Sequence, residues 1–134
     1  MTVTTHWKEK LLFEAVQENA GSVSMDGNLQ AGMSPKALLL AGLAGCSAVD
    51  VVEILEKMRV PFTGLHVVST ADQTSDHPRV FTDIDLLYTV TTDPVNEDKV
   101  RKAIDLSLEK YCGVAAMLRK NSAIRYRCEC IQPQ

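Results

Sequence analysis

Ser34-Pro35-Lys36-Ala37-Leu38-Leu39-Leu40-Ala41-Gly42-Leu43-Ala44-Gly45-Cys46-Ser47-Ala48-Val49-Asp50 is the stretch on which the architecture turns. Ser34 is a good helix N-cap, and Pro35 suits the first helical position, where its missing N–H is no loss. From Ala37 to Leu55 apolar residues fall on all sides, so this helix is expected to be wrapped on every side. Gly42 and Gly45 would each weaken an exposed helix by roughly 1 kcal/mol relative to alanine. They point to another backbone or a ligand approaching closely. The segment Glu53 to Arg59 becomes charged, and Pro61 is expected to stop the helix.

Upstream, three short runs alternate in the manner of strands: Val3, Thr5 and Trp7; Leu11, Phe13 and Ala15; Val23 and Met25. Turn chemistry at Asn19-Ala20-Gly21 and Asp26-Gly27-Asn28 separates them from each other and from the helix. Downstream, Leu65 to Ala71 reads as a strand. A cleaner one follows, with Val80, Thr82, Ile84, Leu86, Tyr88 and Val90 on one face, and Asp76-His77-Pro78 suggests a hairpin between the two. After Asp93-Pro94 a helix is expected from about Asn96, with an apolar stripe of Val100, Ala103, Ile104, Leu108 and Tyr111. Gly113 should bend or break it just after Cys112, and a second piece should reach about Lys120. A last strand, Ala123 to Ile131, puts Tyr126, Cys128 and Cys130 on one face. The order βββ-α-ββ-αα-β describes an α+β domain whose apolar helix must be enclosed by sheet.

The 134 residues suit one domain spanning 1–134. A net charge of -3 gives no reason to expect nucleic acid or an anionic membrane as partner. The longest uncharged apolar run, Ala37 to Val49, ends at Asp50 and fits a buried helix better than a membrane span. The polar start, Met1 to Lys10, carries no signal-peptide core. The expected address is the cytoplasm, where thiols stay reduced.

The four cysteines then read as buried small hydrophobes, metal ligands or reactive thiols. Cys46, deep in the apolar helix, is either a packed core thiol or a reactive one, and the small residues beside it favour ligand access. The helix N-terminus lies too far away to activate it, so a cation would have to come from elsewhere, Arg79 and Arg119 being conceivable. Cys112 either finishes the apolar stripe or sits at the start of a new helix, where unpaired N–H groups would favour the thiolate. The two are 66 residues apart, and only the fold can bring them together. Cys128 and Cys130, in Cys-Glu-Cys, do not have structural-zinc spacing, and His6, His66 and His77 are scattered. Strand packing is the reading for this pair, and no metal site is expected. Asp50, one turn after Cys46, must be hydrogen-bonded, paired or near water. It either holds a cap or backbone amide or lines a site beside Cys46.

The run from Ser34 to Ala48, together with Lys110-Tyr111-Cys112-Gly113-Val114-Ala115 at that separation, resembles the two cysteine segments of the OsmC/Ohr family. Asp50-Val51-Val52-Glu53-Ile54-Leu55 and Pro78-Arg79-Val80-Phe81-Thr82-Asp83-Ile84 look closer to its YhfA-like subgroup. The resemblance spans essentially the whole chain. It implies an OsmC-like fold, mainly antiparallel sheets wrapped round a long buried central helix, in an intertwined homodimer. It also implies a thiol peroxidase acting on organic hydroperoxides or hydrogen peroxide without a cofactor. Cys46 would be the peroxidatic thiol and Cys112 the resolving one, with recycling by a dithiol such as a lipoylated protein. In strongly active members a Glu ten residues before the first cysteine holds an Arg from an early strand. Here Lys36 occupies that position and no arginine precedes it. Lys8, Lys10 and Lys36 can supply charge but not bidentate geometry, and a rebuilt device would have to draw on groups such as Arg79 and Asp50. A slow or specialised activity is therefore expected. Binding of a small hydrophobic ligand and thiol-based redox sensing are the alternatives.

Overall fold

The computed structural model describes residues Met1–Gln134 and divides them into two compact units, Met1–Leu39 and Leu40–Gln134. In the first, β1 (Val3–Glu9), β2 (Leu12–Gln17) and β3 (Gly21–Asp26) form an antiparallel meander in which Thr5 pairs with Ala15 and Ala15 with Val23. Lys10 and Asn19 turn the chain with positive φ angles of 47° and 61°. Buried Asp26 accepts the N–H groups of Asn28 and Ala31 at 2.8 and 3.0 Å, which fixes the loop after β3. All of β1 is exposed, and Trp7 keeps 65% of its surface open while its indole N–H donates to Lys10 O at 2.8 Å. The three strands expected before the long helix are all present.

The helix, α1 (Ala37–Lys57), begins two residues after Pro35. Ser34 Oγ accepts from the Ala37 N–H at 3.2 Å, as a capping side chain should, while the Leu38 and Leu39 amides reach back three residues to Pro35 and Lys36. The helix ends before Pro61 can act. Arg59 takes a left-handed φ of 58°, the Val60 N–H donates to Leu55 O and the Arg59 N–H to Glu56 O, both at 3.0 Å. These two bonds define a Schellman stop, with Arg59 where glycine is usual. Val60, buried behind it, seals the turn against the core.

In the second unit β4 (Gly64–Gln73), β5 (Phe81–Thr91) and β6 (Ala123–Ile131) form a sheet of order β4-β5-β6. β4 and β5 make the expected antiparallel hairpin, and β6 runs parallel to β5 with Tyr88 opposite Cys128. A parallel neighbour needs a crossover. The helical excursion of α2 (Glu97–Leu106) and α3 (Gly113–Arg119) supplies it. The alternation of β5 resolves as expected, with Ile84, Leu86, Tyr88 and Val90 buried on one face. They share a core with Val100, Ala103, Ile104 and Leu108 of the excursion and with Leu43, Val51 and Leu55 of α1.

α1 departs from its expected wrapping on every side. Its buried stripe is Leu43, Ser47, Val51 and Leu55, one residue per turn, while Leu39, Gly42, Gly45 and Val49 lie exposed. A Cβ built on Gly42 or Gly45 would meet nothing within 4 Å, so the close approach these glycines prepare is not made within this chain. At 21 residues α1 also passes as membrane-spanning by length and composition, running past Asp50, where the apolar run was expected to end. Its stripe shared with a packed sheet, and the buried Ser47 on it, mark it as a core helix.

The left-handed Arg59 yields a stability test. A non-glycine residue pays for that conformation, and Arg59→Gly is expected to raise unfolding free energy by about 0.5–1 kcal/mol in urea titrations, the extra freedom of glycine in the unfolded chain trimming the gain.

Candidate functional site

α1 carries Cys46 one residue before its buried stripe reaches Ser47, which leaves the thiol half-exposed at the edge of the core. Cys112 arrives by an unusual turn. α2 gives way at Ser107 to a π-helical segment, Ser107–Tyr111, closed by the Cys112 N–H donating five residues back to Ser107 O at 2.7 Å. A π turn is wider than an α turn, so successive residues advance by fewer degrees. That rotates Tyr111 off the apolar stripe it was expected to finish, leaving it 54% exposed, and turns Cys112 inward to 3%.

Cys112 is then the N-cap of α3, and its Sγ accepts the Ala115 N–H at 3.3 Å. The expected break at Gly113 and the expected N–H groups facing the thiol are both found. Their effect on the thiol is not the one expected. Burial pushes Cys112 up to about 11, against the pull of the Ala115 and Val114 amides, and the neighbouring Cys46 adds to the rise. The desolvation of a thiolate outweighs two amide dipoles here. The question that spacing left open is answered too: the fold makes the two cysteines neighbours, with Cys46 near enough to Cys112 to raise its thiol, and both are free thiols.

A chain of buried hydroxyls runs beside this pair. Tyr88 Oη lies 2.6 Å from Ser47 Oγ, Ser47 Oγ 2.8 Å from Ser107 Oγ, and Ser107 Oγ 3.0 Å from Asp50 Oδ2. Tyr88, Ser47 and Ser107 are fully buried, and no buried side-chain polar atom in the structure lacks a partner. Proton counting gives the chain a direction, since a carboxylate only accepts and each hydroxyl has one proton to give. Ser107 donates to Asp50, Ser47 to Ser107, and Tyr88 to Ser47. Burial holds Tyr88 protonated by pushing it up to about 12, with the charges of Cys112 and Asp50 adding to the shift. Asp50 thus binds a buried serine, rather than a cap or a backbone amide. Ser47, Tyr88 and Ser107 escaped the sequence reading. Their signal was a polar residue on each apolar face, Ser107 being four residues after Ala103 on the stripe of α2.

The other candidates lie elsewhere. The Arg119 guanidinium donates to Leu108 O at 2.9 Å, and Arg79 is an exposed residue of the β4–β5 connection. Cys128 is buried in the core and Cys130 half-buried beside it; burial pushes Cys128 up to about 12 and Cys130 upward as well. These are the marks of packed thiols, as the Cys-Glu-Cys spacing suggested. No group of three or more His, Cys, Asp or Glu side chains converges as a metal site. A mainly apolar groove of about 620 Å³ is lined by Ala44, Gly45, Ala48, Val49 and Val52 of α1 with Leu65 and Val67 of β4, Glu53 and His66 at its polar part, and Cys46 is not among its walls.

Comparison with known proteins matches residues 26–127 to the family described as OsmC-like protein. Protein YhfA of Escherichia coli K12 is 37% identical over 132 residues, 98% of each chain. A hypothetical protein from Aquifex aeolicus VF5 shares the fold at a TM-score of 0.88 and 24% identity, over 99% of this chain and 97% of its own. The organic hydroperoxide resistance protein OhrB of Bacillus subtilis shares it at a TM-score of 0.65 and 15% identity, over 96% and 98%.

The raised Cys112 thiol makes stability depend on alkaline pH. The folded chain keeps that proton from 9, the ordinary thiol value, up to about 11, while the unfolded chain gives it up. The contribution is complete below pH 9 and is lost as pH rises toward 11. The thermal midpoint is expected to fall over that window, and Cys112→Ser, which does not ionise there, should flatten part of the fall in calorimetry.

Proposed function

The chain belongs to the OsmC-like protein family, and from that premise we propose that it reduces organic hydroperoxides with Cys46 as the attacking thiol and Cys112 as the resolving one. The observation that carries this is that the two thiols are neighbours, one half-exposed and one buried, with Cys46 near enough to raise Cys112. A hydroperoxide reaching Cys46 is split at its O–O bond: thiolate, ROOH and a proton give sulfenic acid and ROH. The Cys112 thiol then displaces the hydroxyl, and sulfenic acid plus thiol give disulfide plus water. An external dithiol, such as a lipoylated protein, returns the pair to the reduced state by attacking the more accessible sulfur, that of Cys46.

Two features favour a slow or specialised reaction. Lys36 stands where strongly active relatives place a glutamate, and no arginine precedes it, so the usual ion pair that holds a thiolate cannot form from those positions. Cys112, with its thiol near 11, is also a poor leaving group when the disulfide is reduced. The reducing cytoplasm is the compartment in which such a pair would cycle.

Ligand binding around Cys46 has less support, because the apolar groove on α1 excludes that residue. The groove and the exposed stripe of Leu39 and Val49 suit a second copy of the chain, in a homodimer that buries α1 from the side left open here. Redox sensing would use the same dithiol without turnover.

Consumption of cumene hydroperoxide in the presence of a dithiol is expected in the wild type and absent in Cys46→Ser; a wild type no faster than the variant would remove the peroxidase reading. Mass spectrometry after mild oxidation should find a Cys46–Cys112 disulfide within one chain. For the dimer, sedimentation velocity is expected to show two copies for the wild type and a shift toward one for Val49→Lys, which places a charge on the open stripe.

A further inference from the structure

We propose that Ser107 and Asp50 are positioning residues that set how fast the Cys46–Cys112 disulfide closes. This rests on the reading of those cysteines as a redox pair and names the device that controls their second step.

Ser107 is held at both ends. Its carbonyl accepts the Cys112 N–H at 2.7 Å, closing the π turn. Its hydroxyl donates to Asp50 Oδ2 at 3.0 Å and lies 2.8 Å from Ser47 Oγ. Ser47 is the residue after Cys46, and Asp50 is one α-helical turn beyond Cys46. An unbroken chain of contacts joins the two cysteines: Cys46 to Ser47 along the helix, Ser47 to Ser107 through hydroxyls, and Ser107 to Cys112 through the π turn. The π turn alone fixes the direction of Cys112 but not its distance from α1. The Ser107 side chain supplies that distance, and Asp50 supplies the strongest grip on it, since a hydrogen bond to a carboxylate is about twice as strong as one between neutral groups.

Closure requires the Cys112 sulfur to come in line with the S–O bond of Cys46 sulfenic acid, displacing the hydroxyl as water with the Cys112 proton. Displacements of this kind tolerate little misplacement, and an error of about 1 Å can cost on the order of a hundredfold in rate. Attack of Cys46 on the peroxide has no such requirement, because Cys112 takes no part in it. The clamp therefore acts on the partition of the sulfenic acid between closure and escape.

The test oxidises the purified protein with one equivalent of cumene hydroperoxide in the presence of dimedone. Time points are quenched in acid, and mass spectrometry compares the Cys46–dimedone adduct with the Cys46–Cys112 disulfide. Ser107→Ala and Asp50→Ala are expected to slow closure tenfold or more and to shift product toward the adduct. Asp50→Asn keeps an acceptor for the Ser107 hydroxyl and is expected to recover most of the disulfide, which general loss of stability would not explain. If buried Ser107→Ala fails to fold by circular dichroism, the two variants at half-exposed Asp50 decide the matter. Closure in Asp50→Ala within twofold of the wild type would overturn the proposal, and so would Asp50→Asn as slow as Asp50→Ala, which would assign the effect to charge and not to position. A wild type that forms adduct or disulfide at neither cysteine would sink the redox reading itself, a result distinct from variants that close as fast as the wild type.

Discussion

The Ser107 hydroxyl has a single proton to give, and it meets a buried serine and its backbone carbonyl on one side and a half-exposed carboxylate on the other. Giving it to Asp50 orients every hydroxyl behind it, through Ser47 to Tyr88 in the middle strand of the sheet. Three structural elements are tied by this chain: α1, the π turn and β5. Each contributes apolar neighbours to one core, but apolar packing alone is non-directional and would allow α1 to slide against the excursion. A buried hydroxyl that loses its partner costs roughly 1–3 kcal/mol, and that penalty makes the register specific. The two thiols are neighbours because this register is held.

The π turn is the local irregularity on which the same arrangement depends. A continuous α-helix through Tyr111 would carry the apolar stripe onward and leave Cys112 to one side. The extra width of one turn exchanges an outward tyrosine for an inward cysteine and at once supplies the N-terminus of α3 above the sulfur. The cost is a thiol that holds its proton strongly, because three per cent exposure leaves too little water to solvate a thiolate. Proximity and acidity thus pull in opposite directions at Cys112. Membership of the OsmC-like family does not remove that conflict.

α1 presents a second tension. One stripe is buried as deeply as any part of the chain, while the opposite one, carrying Gly42, Gly45 and Val49, faces open space. Small residues weaken a helix and serve it only where something packs closely. At Gly42 and Gly45 that place is open.

The strands, the capped long helix, the hairpin, the break at Gly113 and the last strand, with bounds matching at Ala123 and Ile131, were all legible in the sequence, because period-two and helical alternation, caps and turn residues are local signals. So was the family, through Cys46 and Cys112 in their flanking segments. Local signals could not reveal that Tyr111 would turn outward, since a π turn leaves no mark in apolar periodicity. Nor could they show that Arg59, ahead of Pro61, would end α1, or that one side of α1 would stay open. The link among Ser47, Tyr88, Ser107 and Asp50 was equally hidden, for the polar groups on each of the three elements look like blemishes on its own apolar face. Only tertiary structure stacks those three faces, and a buried hydrogen bond exists once both of its partners have been brought to the same point in space.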